Sequence, residues 1–239
     1  MSWYHSAPLA PDLRDDLVTA WTMRAEGEHR LVPDACVDVL WIGNGTAWVC
    51  GPEVAAWTFS LPPGTFATGV RFRPGRAGAV LGFDATELRD RRVPLADVVG
   101  SRCARHLVEQ AGEAPAPVQV MQRYARTWLD AARPADPVVD AVAGVLGRRP
   151  ATGVADLADI AGLGPRQLHR RCVAAFGYGP ATLRRILRLQ RFLRLARHPG
   201  APVDLAHLAA LAGYTDQPHL YRDSREIGGA PPRDLICST

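Results

Sequence analysis

Residues 160–203 carry nine arginines and no acidic side chain. On a helical pattern Arg166, His169 and Arg170 fall at i, i+3 and i+4, so they point outward together. A guanidinium is a planar fork that fits phosphate oxygens and the O6/N7 edge of guanine. Further on, Leu220, Ser224 and Ile227 mark the inward side of another helix. Gln217 and Arg222 face outward there, with His219 beside them, and a glutamine amide fits the N6/N7 edge of adenine. Charge alone is equally consistent with solvated basic faces.

Two other constellations carry reactive atoms. Asp34, Cys36 and Asp38 alternate along a candidate strand, which puts all three on one side. That arrangement suits a ligand pocket, a thiol sensor or a purely structural role. The neighbouring carboxylates disfavour the thiolate that a reactive Cys36 needs. Cys103-x-x-His106 and His169-x-x-Cys172 each offer two ligands at helical spacing, but neither has a complementary pair nearby, so no metal site is expected. All 28 basic residues are arginine. The absence of lysine excludes the Walker phosphate loop, Schiff-base chemistry and Ser-Lys catalysis. There is no Gly-x-Ser-x-Gly, His-Glu-x-x-His or Cys-x-x-Cys motif. Neither catalytic residues nor a cofactor is expected, and the chain does not read as an enzyme.

The elements that must hold these residues divide the 239-residue chain near Arg133. Residues 1–133 have 14 arginines against 15 acids, and residues 134–239 have 14 against 9. In the first part, 37–42 reads as a strand, Gly43-Asn44-Gly45 as a hairpin turn and 47–50 as the returning strand. Residues 57–61 and 68–72 read as further strands, and helices are expected at 77–81, 85–91, 101–110 and 117–132. Within the last of these, Val120, Tyr124 and Trp128 form an apolar stripe. It serves either to pack against the strands or to build a homodimer. The second part reads as entirely helical, over 137–147, 154–161, 165–176, 181–198, 204–212 and 216–227. The expected fold class is α+β. A small β barrel or sandwich-like domain with trailing helices (1–133) precedes an all-α domain (134–239). No apolar run approaches the roughly eighteen residues of a membrane span. Residues 1–16 show no secretory signal. Five scattered cysteines fit a reducing cytoplasm.

The helical part contains an internal repeat. Leu157-Ala158-Asp159-Ile160-Ala161-Gly162-Leu163 corresponds to Leu208-Ala209-Ala210-Leu211-Ala212-Gly213-Tyr214, and Gly177 and Pro180 correspond to Gly229 and Pro232. Each copy is a short helix, a tight glycine turn and a second helix bearing polar residues, which is a helix-turn-helix unit. Small Ala158 and Ala209 sit where the paired helices cross. The long helix between the copies carries Arg184, Arg185, Arg188, Arg191 and Arg194, expected to be solvated or to face phosphate.

These residues resemble the double helix-turn-helix domain of AraC-type transcription regulators. The likeness lies in residues 161–170, in Gly177-Tyr178-Gly179-Pro180, in residues 213–217 with Arg222, and in Gly229-Ala230-Pro231-Pro232. The family usually has phenylalanine where this chain has Cys172 and Ser224, and serine where it has Gly164. Residues 33–38 and 69–75 are similar to an uncharacterised N-terminal domain often joined to such regulators. The resemblance implies double-stranded DNA as partner, with base contacts from Arg166, Gln167, His169, Arg170, Gln217, His219 and Arg222. It admits RNA polymerase and an unknown small-molecule effector as further partners, and an activator role. A second function class uses the same DNA-binding domain for a cysteine-based damage or methyl-acceptor response, or for thiol sensing, through Cys36 or Cys50.

Overall fold

The computed structural model describes residues 3–200, 202 and 204–237. Its N-terminal part is a six-stranded antiparallel sheet in the order β1-β2-β7-β4-β5-β8, with a separate two-stranded ribbon, β3-β6. The strands are β1 (Tyr4–Ala7), β2 (Leu17–Arg24), β3 (Gly27–Leu31), β4 (Val37–Ile42), β5 (Thr46–Cys50), β6 (Trp57–Leu61), β7 (Phe66–Phe72) and β8 (Arg92–Pro94). The sheet is open rather than closed into a barrel, and β1 and β8 are its edges.

Alternation along β4 shows how the sheet is used. Val37, Val39 and Trp41 are buried in the core that α-helices cover, whereas Asp38, Leu40 and Ile42 line a cavity on the opposite face. Val70 and Phe72 of β7 follow the first set, and Ala67 and Arg71 the second. Gly69 lies between them because nothing larger fits. A Cβ there would come within 2.7 Å of the Trp21 ring and 2.6 Å of the Val39 carbonyl.

Helices α1 (Ala77–Leu81), α2 (Ala85–Leu88), α3 (Leu95–Val99), α4 (Ser101–Glu113) and α5 (Pro117–Asp130) follow the strands. The helix expected to reach residue 91 stops at Leu88. Arg89 is extended, Asp90 is left-handed (φ 57°), and the chain then turns into the sheet as β8. On α5, Val120 and Trp128 are buried in the same core as Leu17, Val70 and Phe72. Tyr124 packs against it, with its ring 5.9 Å from that of Trp128. The stripe is therefore spent inside the chain, which removes it as a dimer surface.

The C-terminal part is all-helical. It comprises α6 (Pro137–Arg148), α7 (Val154–Ile160), α8 (Pro165–Phe176), α9 (Pro180–Ala196), α10 (Leu205–Ala212), α11 (Gln217–Glu226) and α12 (Pro232–Cys237). The sequence repeat is a structural one. Both short helices end in a left-handed glycine turn, Gly162 (φ 63°) and Gly213 (φ 92°). Both turns close through the same bond, from the Leu163 N–H to the Ala158 carbonyl (3.0 Å) and from the Tyr214 N–H to the Ala209 carbonyl (2.9 Å). Gly177 and Gly229 are also both left-handed, and a proline then opens α9 and α12. Proline suits a first helical position because its missing N–H has no intrahelical acceptor there.

The two parts share a core. Ala35, from the loop before β4, is buried among Leu146, Leu157, Phe176, Ile186 and other C-terminal residues, and Val32 and Val54 pack against that cluster. Among the described residues, no helix is long and apolar enough to cross a membrane.

Candidate nucleic-acid interface and ligand cavity

In the first helix-turn-helix unit, Leu168, Cys172 and Phe176 are buried and seat α8. Arg166, His169 and Arg170 are exposed on its other side, as the spacing indicated, and Gln167 is exposed as well. Gln167 is committed locally, since its Oε1 accepts the Gly164 N–H at 3.4 Å, the bond by which a third helical residue reaches back to the N-cap; Gly164 has no side chain to return the other one. Arg171 is also exposed but bonds both oxygens of Asp136 (3.0 and 3.1 Å), tying α8 to the start of α6. Cys172 is buried, and burial pushes its thiol up to about 11.

In the second unit, Leu220, Ser224 and Ile227 are buried as expected. The Ser224 hydroxyl finds no hydrogen-bond partner among the described residues. Asp216 caps α11 by accepting the His219 N–H at 2.7 Å. Arg222 is exposed and Gln217 half-buried. His219 departs from expectation, because its ring does not stand free for a base. Nε2 lies 2.7 Å from Arg188 Nη2, and Nδ1 lies 3.3 Å from the Thr215 hydroxyl. Burial, reinforced by the Arg188 charge, holds this imidazole below its ordinary pKa. The outer face of α11 instead includes Pro218, Tyr221 and Arg225, which with Arg222 and Glu226 form a shallow groove.

The arginines of α9 are not uniformly solvated. Arg188 is 4% exposed. It donates to Asp223 Oδ2 at 2.7 Å and lies 4.3 Å from the centre of the Tyr214 ring. Arg185 donates to the other oxygen of Asp223 at 2.8 Å and also pairs with Glu226. Arg191 bonds the carbonyls of Leu211 (3.1 Å) and Arg148 (2.9 Å). These contacts bind α11 and the turn before it to α9, so Arg185, Arg188 and Arg191 are structural ties, while Arg194 remains exposed.

A cavity of about 520 Å³ lies between the sheet and the β3-β6 ribbon. Trp3, Tyr4, Trp21, Trp48, Trp57 and Phe59 supply most of its aromatic wall. Asp34, Cys36 and Asp38 meet on this wall as the alternation suggested, although Asp34 and Cys36 precede β4. A local turn brings them round, in which Asp34 Oδ1 accepts the Cys36 N–H at 2.9 Å and Ala35 is left-handed (φ 66°). Sequence reasoning missed Arg71, which joins the two carboxylates. Its Nη1 is 3.0 Å from Asp34, its Nη2 donates to Asp38 at 2.8 Å, and the Trp21 indole N–H donates to the same Asp38 at 3.0 Å. Arg71 and Asp38 are directly paired residues of β7 and β4, and that register is the signal that could have found the ion pair. At the far end Arg92 pairs with Glu53, and its guanidinium lies 3.6 Å from the Trp57 ring centre. Burial outweighs that pairing and lifts Glu53 to about 7. Burial, followed by the Asp34 charge, pushes the Cys36 thiol far up, and burial takes Cys50 to about 12. At neutral pH both are thiols, which runs against a cysteine-based response.

Residues 157–236 match the helix-turn-helix domain family, and residues 6–94 match a domain of unknown function, DUF6597. No curated protein matches the sequence. Among solved structures, an apo ToxT variant from Vibrio cholerae superposes with a TM-score of 0.51 at 9% identity, over 100% of this chain and 98% of its own. ToxT bound to an unsaturated fatty acid superposes at 0.50 with 8% identity, over 93% and 96%. A regulator with an AraC-type DNA-binding domain from Chromobacterium violaceum is 20% identical, over 42% of this chain and 90% of its own, with a TM-score of 0.39. At these identities the ToxT likeness is one of fold. The chain carries a helix-turn-helix domain behind an N-terminal domain of unknown function.

Proposed function

We propose that this chain is an AraC-type transcription regulator, that it reads two successive major-groove segments of one DNA site, and that a small molecule in the N-terminal cavity controls the reading. We place the division of labour at residues 133/134, with sensing before it and DNA recognition after it, acting in the cytoplasm. Arg166, His169 and Arg170 on α8 form one reading face, which Gln167 borders. Arg222 and Gln217 on α11 form the other, extended by Tyr221 and Arg225. The observation that carries the reading is the pair of closely alike units, each presenting exposed arginine, joined by one helix. That helix, α9, has 17 residues. At 1.5 Å per residue it spans about 25 Å, against the ~34 Å between major-groove entries on one face of the duplex. One chain then reads both segments without a two-fold partner, and the site is asymmetric. Self-association, or contact with RNA polymerase, has to use surfaces other than the α5 stripe.

The cavity volume falls within the range of small-molecule sites. ToxT, of like fold, has been solved with an unsaturated fatty acid bound. Both facts support the effector role.

The test is a binding selection on a randomised duplex with the full chain. Arg170→Ala is expected to relax one segment and Arg222→Ala the other, about one turn away, each at a cost of about 1–3 kcal/mol. If both variants relax the same base pairs, or neither alters the motif, the two-reader reading fails.

A further inference from the structure

The charges in the cavity favour one class of ligand. Three carboxylates line it, Asp34, Asp38 and Glu53, against two guanidiniums, Arg71 and Arg92. Both guanidiniums are already engaged. Arg71 is held by Asp34 and Asp38, and Arg92 by Glu53 and the face of Trp57. One guanidinium N–H is left over, Arg92 Nε, which has no hydrogen-bond partner among the described residues but is closed off from solvent. An incoming anion therefore has to move Arg92 or displace a carboxylate from a guanidinium to gain a positive partner. An incoming cation meets one carboxylate more than there are guanidiniums, an excess of one negative charge once Glu53 is ionised, and a wall of indole and phenol rings, whose electron-rich faces attract positive charge. The Arg92–Trp57 stack shows that this wall already accepts a cation at 3.6 Å.

We infer that the cavity takes a lipophilic cation, an aromatic or aliphatic body bearing a quaternary or protonated amine, rather than a fatty acid or another organic anion. The inference rests on the reading of this cavity as the effector site. Burial lifts Glu53, set between Arg92 and Asp90, to about 7, and a bound cation draws it into the charged form.

Three probes of matched shape test this by calorimetry on the full chain. They are (1-naphthylmethyl)trimethylammonium, its uncharged carbon isostere with a quaternary carbon in place of nitrogen, and 1-naphthylacetate. The cation is expected to bind about tenfold tighter than the isostere, and the carboxylate more weakly than either. Glu53→Gln, which keeps shape and removes charge, should erase most of the cation's advantage, and Trp57→Leu should weaken the cation more than the isostere. Equal binding of all three, or preference for the carboxylate, overturns the ligand class and leaves the effector site standing. Cation binding undiminished in both variants also overturns it, since the ion then sits elsewhere. If none of the probes binds, both the ligand class and the effector reading fall.

Discussion

Arg188 gives the sharpest test of how α11 is held. Truncating it to alanine removes the 2.7 Å bond to Asp223, the contact with His219 and the stacking on Tyr214. Asp223 is only 1% exposed, so its charge cannot turn to water. Removing one partner of a buried pair costs about 3–5 kcal/mol, mostly because the other charge stays buried. Here Arg185 still holds one Asp223 oxygen at 2.8 Å, which places the expected loss near the lower end, at about 3 kcal/mol. For a chain of this size each kcal/mol shifts the midpoint by about 2–4 °C, so thermal unfolding should move down by about 6–12 °C. A double-mutant cycle of Arg188→Met and Asp223→Leu should then show positive coupling, because removing both charges leaves neither unpaired. The His219 resonance supplies an independent reading. With the neighbouring charge gone, its titration should rise toward the ordinary histidine range. A histidine held below its unfolded pKa adds stability that is fully present above about 6.5 and lost as pH falls. The variant should therefore lose less on acidification than the parent. If Arg188→Ala costs under about 1 kcal/mol yet weakens binding to all DNA sequences equally, Arg188 faces phosphate and the buried-tie argument is wrong.

Two other perturbations follow from the same contacts. Gln190 on α9 donates to the carbonyls of Val32 (3.3 Å) and Pro33 (2.8 Å) beside the cavity. Gln190→Leu should leave DNA affinity without effector nearly unchanged while reducing any effector-induced change in that affinity, and an unaltered response in electrophoretic mobility shifts would refute the link. Because burial holds Cys36 and Cys50 as thiols, iodoacetamide at pH 7.5 should label exposed Cys237 well before either. Peptide mass spectrometry showing Cys36 modified first would restore the cysteine-based alternative.

The C-terminal half was readable because its units are local. Helix period, turn glycines and opening prolines all lie within a few residues of what they determine, and so do the caps Asp204 and Asp216 that the structure adds. Their repetition, 51 residues on for the first helix and turn and 52 for the closing glycine and proline, reinforces each local signal. The β-rich half was less readable for identifiable reasons. The alternation of β2 is broken by a register shift between Leu17 and Thr19. β3, Gly-Glu-His-Arg-Leu, belongs to a two-stranded ribbon with little buried surface and carries no apolar signature. β8 is three residues held by β5 alone. The site residues divide in the same way. Exposed Arg166, Arg170 and Arg222 follow from helical phase, whereas Arg71 and Arg188 take their roles from partners 33 and 35 residues away. Arg188 was the harder case, since a stretch without acids gives no local hint that its counter-ion lies in the second unit.

The same long-range contacts put the cavity one step from both α8 and α11, the helices proposed to read DNA. Its rim segment 32–36 is bonded by Gln190 of α9 on one side, and its Ala35 is buried in the C-terminal core on the other. Ala35 holds a left-handed backbone, a conformation that costs a non-glycine residue about 1–2 kcal/mol and persists only where its surroundings enforce it. A second rim segment, 51–56, includes cavity-lining Glu53, and its Ala56 N–H donates to the Ile227 carbonyl at the end of α11 (2.6 Å). The end of α8 is reached through Arg89, which donates to the Gly177 carbonyl at 3.2 Å. Pro52 and the Ala85 carbonyl would both lie 3.0 Å from any Cβ added to Gly177. Close-packed contacts of this kind leave little room for a rim to move alone. A ligand that shifted Asp34 away from Arg71, or Glu53 away from Arg92, would press on the seats of α8, α9 and α11 together. Control by such a ligand requires only that it bind the two arrangements with different affinity, and no separate relay element is needed between cavity and DNA.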